Sequence, residues 1–184
     1  MIHTICFFLI LSGNCVYGIY DNNSIPANVT ELQSSAMQVC CDNWINASHV
    51  DLGFIWFEKS ETLNYTDAVR FCQRRQSHLI EILTEEQMNF VVNKLKTIKN
   101  HVKVVIWGDN LQGKGWWSGA TDKDEEDTWV WVQSGKSVEE FVWGSGQPDD
   151  YGNEDYFWFL NWYGFKGGDV AGHYKMYPLC QQKR

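Results

Sequence analysis

The chain has 184 residues, with 23 acidic and 15 basic side chains, which gives a formal net charge of −8 at pH 7. This length predicts one domain with one substantial core, and a hydrophobic content of 44% argues against a disordered chain. The acidic balance offers no basic patch for phosphate groups, which argues against nucleic acid as a partner and against an anionic membrane surface.

Residues 1–18 have the features of a secretory signal peptide. Residues 5–11 form an apolar run that is too short to cross a bilayer. The small residues Val16 and Gly18 precede a predicted cleavage after Gly18. The alternative is a buried N-terminal strand. No later segment is apolar for long enough to span a membrane, so the sequence predicts a secreted, extracellular protein.

The segment after the predicted cleavage agrees with export. Residues 19–40 are polar and predict a leader ahead of a single domain at 41–184. Sequons for N-linked glycosylation are consistent with an exported glycoprotein. They begin at Asn22, Asn28, Asn46 and Asn64.

The cysteines that remain after the predicted cleavage are Cys40, Cys41, Cys72 and Cys180. Disulfides are the default in an oxidising compartment, and this set allows three different pairings. Adjacent Cys40 and Cys41 would pair only with strain. A bridge from Cys72 to Cys180 would join an early helix to the last strand and stabilise the fold by about 4–5 kcal/mol.

The first part of the domain predicts two helices between short strands. An aromatic strand is expected at 53–58, a helix at 64–75 and a short strand at 79–82. A capping box at Thr84–Gln87 begins a second helix that runs to about Lys96. The predicted apolar faces are Tyr65, Ala68, Val69 and Cys72 in the first helix and Met88, Val91, Val92 and Leu95 in the second.

After residue 97, short aromatic strands alternate with loops that are rich in Gly and Asp. Two helices followed by such strands predict an α+β domain. The strands are expected at 104–107, 116–120, 129–132, 157–162 and 174–180.

Two acidic clusters lie in these loops, at 122–127 and 147–155. Carboxylates that are crowded together repel each other unless a cation lies between them. Calcium takes six to eight oxygen ligands and tolerates irregular loops, so the clusters indicate a calcium site. The alternative is a solvated acidic surface.

Taken together, these motifs resemble C-type lectin domains over about residues 41–182, and secreted invertebrate lectins most of all. The resemblance implies a C-type lectin-like fold, in which two helices flank small antiparallel sheets and a long loop region binds calcium and sugar. It also implies a disulfide between Cys72 and Cys180. The matching motifs are Ala68-x-x-x-Cys72, Ser77-His-Leu-Ile-Glu81, Glu-Glu-Gln at 85–87, Trp117-x-Gly-Ala-Thr-Asp122, Trp129-Val-Trp131, Trp143-x-x-Gly-Gln-Pro-Asp149, Asn153-Glu-Asp155 and Tyr177-Pro-x-Cys180.

The resemblance also implies two sets of calcium ligands. The family's Trp-Asn-Asp motif reads Gly167-Gly168-Asp169 here, so one Asn ligand is missing from the sugar-binding set. That set is Gln147, Asp149, Glu154 and Asp169, and an auxiliary set is Asp122, Glu126, Asp150, Glu154 and Asp155.

Within the family, Gln-Pro-Asp implies a preference for galactose-type glycans and a cis peptide bond before Pro148. The sugar-binding residues implied are Gln147, Asp149, Glu154 and Asp169. Tyr151 is the nearest aromatic residue for stacking on the apolar face of galactose, with Trp158 and Trp162 behind it. Core packing is the interpretation we prefer for Trp129 and Trp131.

Two departures from the family concern cysteines. The family's loop disulfide would fall near Tyr156 and Gly172, and neither is Cys. The usual hairpin partner of Cys40 or Cys41 is also missing, which favours a disulfide-linked homodimer through one of them. A vicinal bridge and a free thiol are the alternatives.

The sequence predicts a calcium-dependent lectin and not an enzyme, because it lacks the common catalytic motifs. Paired carboxylates of a glycosidase are a minor alternative. The main alternative is a calcium-stabilised module that binds protein or another non-sugar ligand. A third is a secreted domain whose acidic loops are only solvated. A role in innate immunity is a family expectation.

Overall fold

The computed structural model describes residues 5–7, 18–20, 44–98, 115–160 and 164–182. The chain divides into two compact units, Met1–Ile45 and Asn46–Arg184. In the first unit, β1 (Ile5–Phe7) pairs antiparallel with β2 (Gly18–Tyr20). The signal peptide and its cleavage remain predictions. Outside the described residues lie Asn22, Asn28, Cys40, Cys41, Trp162 and the predicted strand at 104–107.

The second unit combines two helices with a mixed sheet, which confirms the predicted α+β class. The helices are α1 (Tyr65–Gln73) and α2 (Glu85–Ile98), and β3 (Trp44–Asn46) crosses the boundary between the units. Neither helix is long and apolar enough to cross a membrane, within the described residues. The other strands are β4 (Phe54–Phe57), β5 (His78–Leu79), β6 (Gly115–Thr121), β7 (Val130–Trp131), β8 (Tyr156–Leu160), β9 (Gly167–Val170) and β10 (Tyr177–Gln182), with 3-10 turns at Ser48–Val50 and Glu140–Val142.

The central strand is β10. It pairs antiparallel with β4 and β5 and parallel with β6. The sheet is therefore mixed, whereas the resemblance implied antiparallel sheets. Next to β6 come β8 and then β9, both antiparallel. The sequence did not predict β9, because Gly-Gly-Asp has a low strand propensity. The segment 174–180 was predicted as a strand, but β10 begins only at Tyr177.

The start of α1 agrees with its sequence. The Asn64 side-chain oxygen accepts a hydrogen bond from the Asp67 backbone N–H at 2.9 Å, which caps the helix. Of the predicted apolar face, Tyr65, Ala68 and Cys72 are buried, whereas Val69 is only half-buried.

The start of α2 corrects one detail of the predicted capping box. The Gln87 backbone N–H donates to the Thr84 hydroxyl at 3.2 Å, as expected. The Gln87 side-chain oxygen, however, accepts from the Leu83 N–H at 2.7 Å and not from Thr84. The Gln87 side chain therefore caps the backbone N–H of Leu83, one residue before Thr84, and joins the helix to the preceding loop.

The structure joins Cys72 of α1 to Cys180 of β10, with the two Cα atoms 5.4 Å apart. Both cysteines are fully buried. The bridge closes a long loop, because the cysteines are 108 residues apart in sequence. It therefore ties the central strand to the first helix by restricting the unfolded chain.

Aromatic rings fill the core beneath the acidic loops. Trp129 lies edge-on to Trp143, with ring centroids 4.8 Å apart. Trp131 packs on Phe157 at 5.8 Å, and Phe157 also contacts Trp143 at 4.9 Å. Trp129 and Trp131 are buried, which confirms that they belong to the core.

The ring of Tyr156 packs against Gly172, at the two positions where the resemblance would place a loop disulfide. A Cβ atom added to Gly172 would lie 2.5 Å from Cε2 of Tyr156, so only glycine fits this contact. The Tyr156 ring packs on Tyr65, with centroids 4.0 Å apart. The Tyr65 N–H donates to the Gly172 carbonyl at 3.0 Å. This contact therefore joins β8 to the segment before β10 without a covalent bond.

We expect Gly172→Ala to lower the free energy of unfolding by about 1–3 kcal/mol, because the new methyl group overpacks the Tyr156 ring. Urea unfolding measures the change. In a Tyr156→Ala background the same substitution should cost much less, since the ring is gone. Equal costs in both backgrounds would show that the contact is not the cause.

Candidate functional site

Three carboxylates from two segments meet at one end of the sheet. One oxygen from each of Asp149, Glu154 and Asp169 lies within 4.8 Å of the others. Asp149 and Glu154 belong to the loop before β8, and Asp169 belongs to β9. Asp149 is exposed, Glu154 is half-buried and Asp169 is buried. The structure thus brings together the three carboxylates of the set that the resemblance implies for a sugar-binding calcium.

The fourth member of that set, Gln147, contacts the backbone of β9. The peptide bond between Gln147 and Pro148 is cis, as the resemblance implies. The Gln147 side-chain oxygen accepts a hydrogen bond from the Asp169 N–H at 3.1 Å. Gln147 therefore lies at the site, with its oxygen directed at the main chain.

The Asp169 carboxylate organises the loop that faces it. It accepts hydrogen bonds from the Asp149 N–H at 3.0 Å and from the Asp150 N–H at 2.6 Å. The Trp158 indole N–H donates to the Asp169 carbonyl at 3.2 Å from the buried side. The sequence does not indicate the bonds from Asp149 and Asp150, because these residues lie 20 and 19 positions before Asp169 in the chain.

The grouped carboxylates are electrostatically uncompensated. Burial, together with the negative charges of Asp169 and Asp149, raises the pKa of Glu154 to about 7. Burial also raises the pKa of Asp169, against the hydrogen bonds from Asp150 and Asp149. In the described part of the chain no ion pair joins these carboxylates to a Lys or Arg side chain. A bound cation would supply the missing charge.

The auxiliary set centres on Asp122, which is 4% exposed. Its Oδ2 accepts from the Asp127 N–H at 3.2 Å, whereas its buried Oδ1 has no hydrogen-bond partner among the described residues. Burial and the charges of Glu126 and Asp155, opposed by the hydrogen bond from the Asp127 N–H, raise the pKa of Asp122 to about 6. A buried carboxylate oxygen without a partner is costly, which points to a ligand at this position.

The remaining auxiliary residues lie around Asp122 in a looser arrangement. Loss of hydration and then the charge of Asp150 raise the pKa of exposed Glu126. Asp150 accepts from the Glu154 N–H at 2.9 Å. The Asp155 carbonyl accepts from the Asp122 N–H at 3.4 Å. Among the described residues, only Asp149, Glu154 and Asp169 have carboxylate oxygens that all lie within 4.8 Å of one another, so the auxiliary set is less compact.

Tyr151 projects from the loop beside the carboxylates and is 85% exposed. The loop turns around it through left-handed residues, Asp150 at φ 42° and Gly152 at φ 84°. Trp158 is buried in the core, so it supports the site from below and offers no free ring face. Tyr151 is therefore the aromatic residue of this loop that a ligand would meet.

The two described sequons differ in their surroundings. Asn46 is exposed, and its side-chain oxygen accepts from the Ser48 N–H at 3.0 Å. Asn64 is half-buried and both caps α1 and donates to the Asp67 carboxylate at 3.0 Å. Glycosylation of either remains a prediction.

Residues 61–182 match the family model of the Lectin C-type domain. A perlucin-like protein of Mytilus galloprovincialis is 29% identical over 106 residues, which cover 56% of this chain and 60% of the relative. Human C-type lectin domain family 10 member A is 26% identical over 160 residues, covering 85% of this chain and 41% of the relative. The chain thus spans about half the length of these curated relatives.

Solved structures show the same fold. The mouse scavenger receptor C-type lectin carbohydrate-recognition domain has a TM-score of 0.60 at 22% identity, with 77% of this chain and 96% of that chain covered. C-type lectin CEL-I from Cucumaria echinata also has a TM-score of 0.60 at 22% identity, with 76% and 94% covered. The Lectin C-type domain that matches residues 61–182 is a binding module and not an enzyme, which confirms the prediction against catalysis. With two thirds of its length matched by the family model, the chain belongs to the C-type lectin family.

Proposed function

We propose that this protein is a secreted, calcium-dependent lectin that prefers galactose-type glycans. The observation that carries the proposal is the meeting of Asp149, Glu154 and Asp169 beside the exposed ring of Tyr151. C-type lectin domains generally bind calcium and glycans. Export is supported by the apolar run at 5–11 and by the sequons. A homodimer linked through Cys40 or Cys41 is part of the proposal.

The donor atoms fit calcium. They are carboxylate oxygens, the ligands that this hard cation prefers. The three carboxylates have no cationic partner in the described ranges, and the buried Oδ1 of Asp122 has no hydrogen-bond donor. We assign the sugar-binding calcium to the set of Gln147, Asp149, Glu154 and Asp169. We assign a second calcium to the auxiliary set of Asp122, Glu126, Asp150, Glu154 and Asp155.

Each side chain at the site has a different role in binding a sugar. A calcium ion held by these side chains would supply a hard cation for two neighbouring sugar hydroxyls. Asp149 and Glu154 would accept hydrogen bonds from the sugar hydroxyls, and the Gln147 amide N–H would donate to a hydroxyl oxygen. Tyr151 stacks on the apolar face of the ring. The preference for galactose rests on the resemblance of Gln-Pro-Asp to the galactose-type members of the family.

A second candidate is a calcium-stabilised module that binds protein or another non-sugar ligand. The observation that favours it is Gly168, which offers neither the oxygen nor the amide of the family's Asn. In that case calcium would still stabilise the loops, but free monosaccharide would not compete with the natural ligand.

Without calcium, stability should fall as the pH rises from 5 to 8. Folding raises the pKa of Asp122 to about 6 and of Glu154 to about 7, so the folded state binds these protons more tightly. Their stabilising contribution is complete below the unfolded pKa values and is lost as the pH passes the folded ones. We expect the Tm in chelator to drop by about 4–8 °C.

Saturating calcium should remove most of this drop, because it favours the charged carboxylates and binds only the folded loops. Differential scanning calorimetry at both pH values, with calcium and with chelator, measures the effect. Asp122→Asn and Glu154→Gln should each flatten the profile in chelator. A Tm that is the same with calcium and with chelator at pH 8 would contradict both calcium sites.

Asp149→Ala should abolish retention on immobilised galactose, because a calcium ligand and a hydroxyl acceptor are lost together. The expected decrease in affinity is at least about ten-fold. The wild type should be retained with calcium and released by chelator. Asp124→Ala is the matched control, since Asp124 is exposed in the other acidic loop and belongs to neither ligand set.

Each result on the galactose column decides between the two candidates. Retention of wild type and Asp124→Ala, with loss of Asp149→Ala, supports the lectin. Wild type that passes through both galactose and mannose columns, while calcium still raises its Tm, supports the non-sugar module. Normal retention of Asp149→Ala would show that the sugar binds elsewhere.

Tyr151→Ala should weaken galactose binding by about two- to ten-fold, because the stacking surface is removed. Tyr151→Trp should keep most of the affinity. Val132→Ala provides the control, since Val132 is a second exposed hydrophobic side chain, at 62%, outside the site. Titration with free galactose measures all three, and an unchanged affinity of Tyr151→Ala would remove the ring from the site.

A further inference from the structure

We propose that Trp158 is a positioning residue, which fixes the main chain of Asp169 from the core and so holds the acidic loop at 147–155 in place. The proposal rests on the proposed function, because an effect on calcium affinity requires that the site binds calcium. Trp158 is not assigned to either set of ligands and acts through Asp169. Its basis is the buried hydrogen bond of the indole and the close packing of the ring.

The Trp158 indole is tightly enclosed within the sheet. Trp158 belongs to β8 and lies opposite Trp117 of β6 and Gly168 of β9. It is 2% exposed. A Cβ atom added to Gly115 of β6 would lie 2.6 Å from Cε3 of Trp158 and 2.3 Å from the Phe159 carbonyl oxygen, so glycine is required beside the ring. The indole therefore packs directly against the backbone of β6.

The nitrogen of the same indole contacts β9. Its N–H donates to the Asp169 carbonyl at 3.2 Å in the buried interior. Asp169 also lies opposite Phe157 in the pairing of β8 with β9. A buried carbonyl that loses its donor is destabilising, so the bond favours one position of the Asp169 main chain relative to β8.

Asp169 transmits this position to the acidic loop. Its carboxylate accepts hydrogen bonds from the Asp149 N–H at 3.0 Å and from the Asp150 N–H at 2.6 Å. One of its oxygens also lies within 4.8 Å of an oxygen of Asp149 and of Glu154. A shift of the Asp169 main chain would therefore move one carboxylate of the site and loosen the backbone that carries another. Partners that orient a ligand in this way change the affinity for a metal without touching it.

Trp116 provides a matched control. It is also 2% exposed, and its indole N–H donates to the Glu58 carbonyl at 2.9 Å. Glu58 directly follows β4 and belongs to neither set of calcium ligands. Trp116→Phe therefore removes a buried indole and its hydrogen bond at a position that does not contact Asp169.

The test compares Trp158→Phe with Trp116→Phe, because Phe keeps a ring but has no N–H to donate. Both variants should lower the Tm. Amide hydrogen exchange at Asp150, followed by NMR in chelator, reports how firmly Asp169 holds the loop, and calcium titration calorimetry reports the affinity. We expect Trp158→Phe to increase both the exchange rate and the calcium Kd by at least about three-fold, and Trp116→Phe to change neither by more than about two-fold. Equal effects of the two substitutions, or no effect of Trp158→Phe, would overturn the proposal.

A closer analogue keeps the test decisive if Trp158→Phe does not fold. Replacing the Trp158 indole by a benzothiophene ring, in which sulfur takes the place of the N–H group, preserves the shape of the side chain but removes the donor. Exchange at Asp150 should again become faster, and an unchanged rate would refute the positioning role. If wild type binds no calcium, the proposed function fails, while exchange at Asp150 in chelator still decides whether Trp158 positions the loop.

Discussion

The fold depends on the hydrogen bonding of β10, which has strand partners on both edges. Cys180 lies opposite Trp56 of β4 and Leu79 of β5, and further along the strand Tyr177 lies opposite Trp116 of β6. These pairings join the ends of the domain, because β10 is near the C-terminus and β4 and β5 are near its start. Such distant contacts are entropically expensive to form. The buried disulfide to α1 offsets part of that cost by restricting the unfolded chain.

The acidic loops act against this stability, because they gather charges that repel each other at the end of the sheet. Packing holds them together: aromatic rings fill the space below, and Asp169 is fixed by main-chain bonds in a strand and not in a free loop. The fold thus holds carboxylates that repel each other in a geometry that suits a cation, and this repulsion destabilises the folded state. The raised pKa of Glu154 is the local sign of this cost.

Periodicity and capping motifs predicted the two helices, because these signals are local and each is satisfied within a few residues. The acidic positions were also identifiable, since they follow a family pattern along the chain. Neither β9 nor the direction of Gln147 could be predicted. Gln147 contacts a backbone N–H that lies 22 residues further along the chain, and β9 forms by pairing with β8. Gly168 influences both through the side chain that it lacks. A sequence motif records which residues are present, but not which space a missing side chain leaves to its neighbours.

The contact of Tyr156 with Gly172 also means that closure of the acidic loop at 147–155 does not depend on a disulfide. In the described part of the chain, the only disulfide joins α1 to β10 and includes no residue of the acidic loops or of β9. The loop is closed instead by an aromatic ring on a glycine, which a reductant does not attack. A reducing environment would therefore weaken the domain as a whole while leaving the closure of the loop chemically intact. In this protein the loop would open through loss of the surrounding fold, and not through cleavage of a bond of its own.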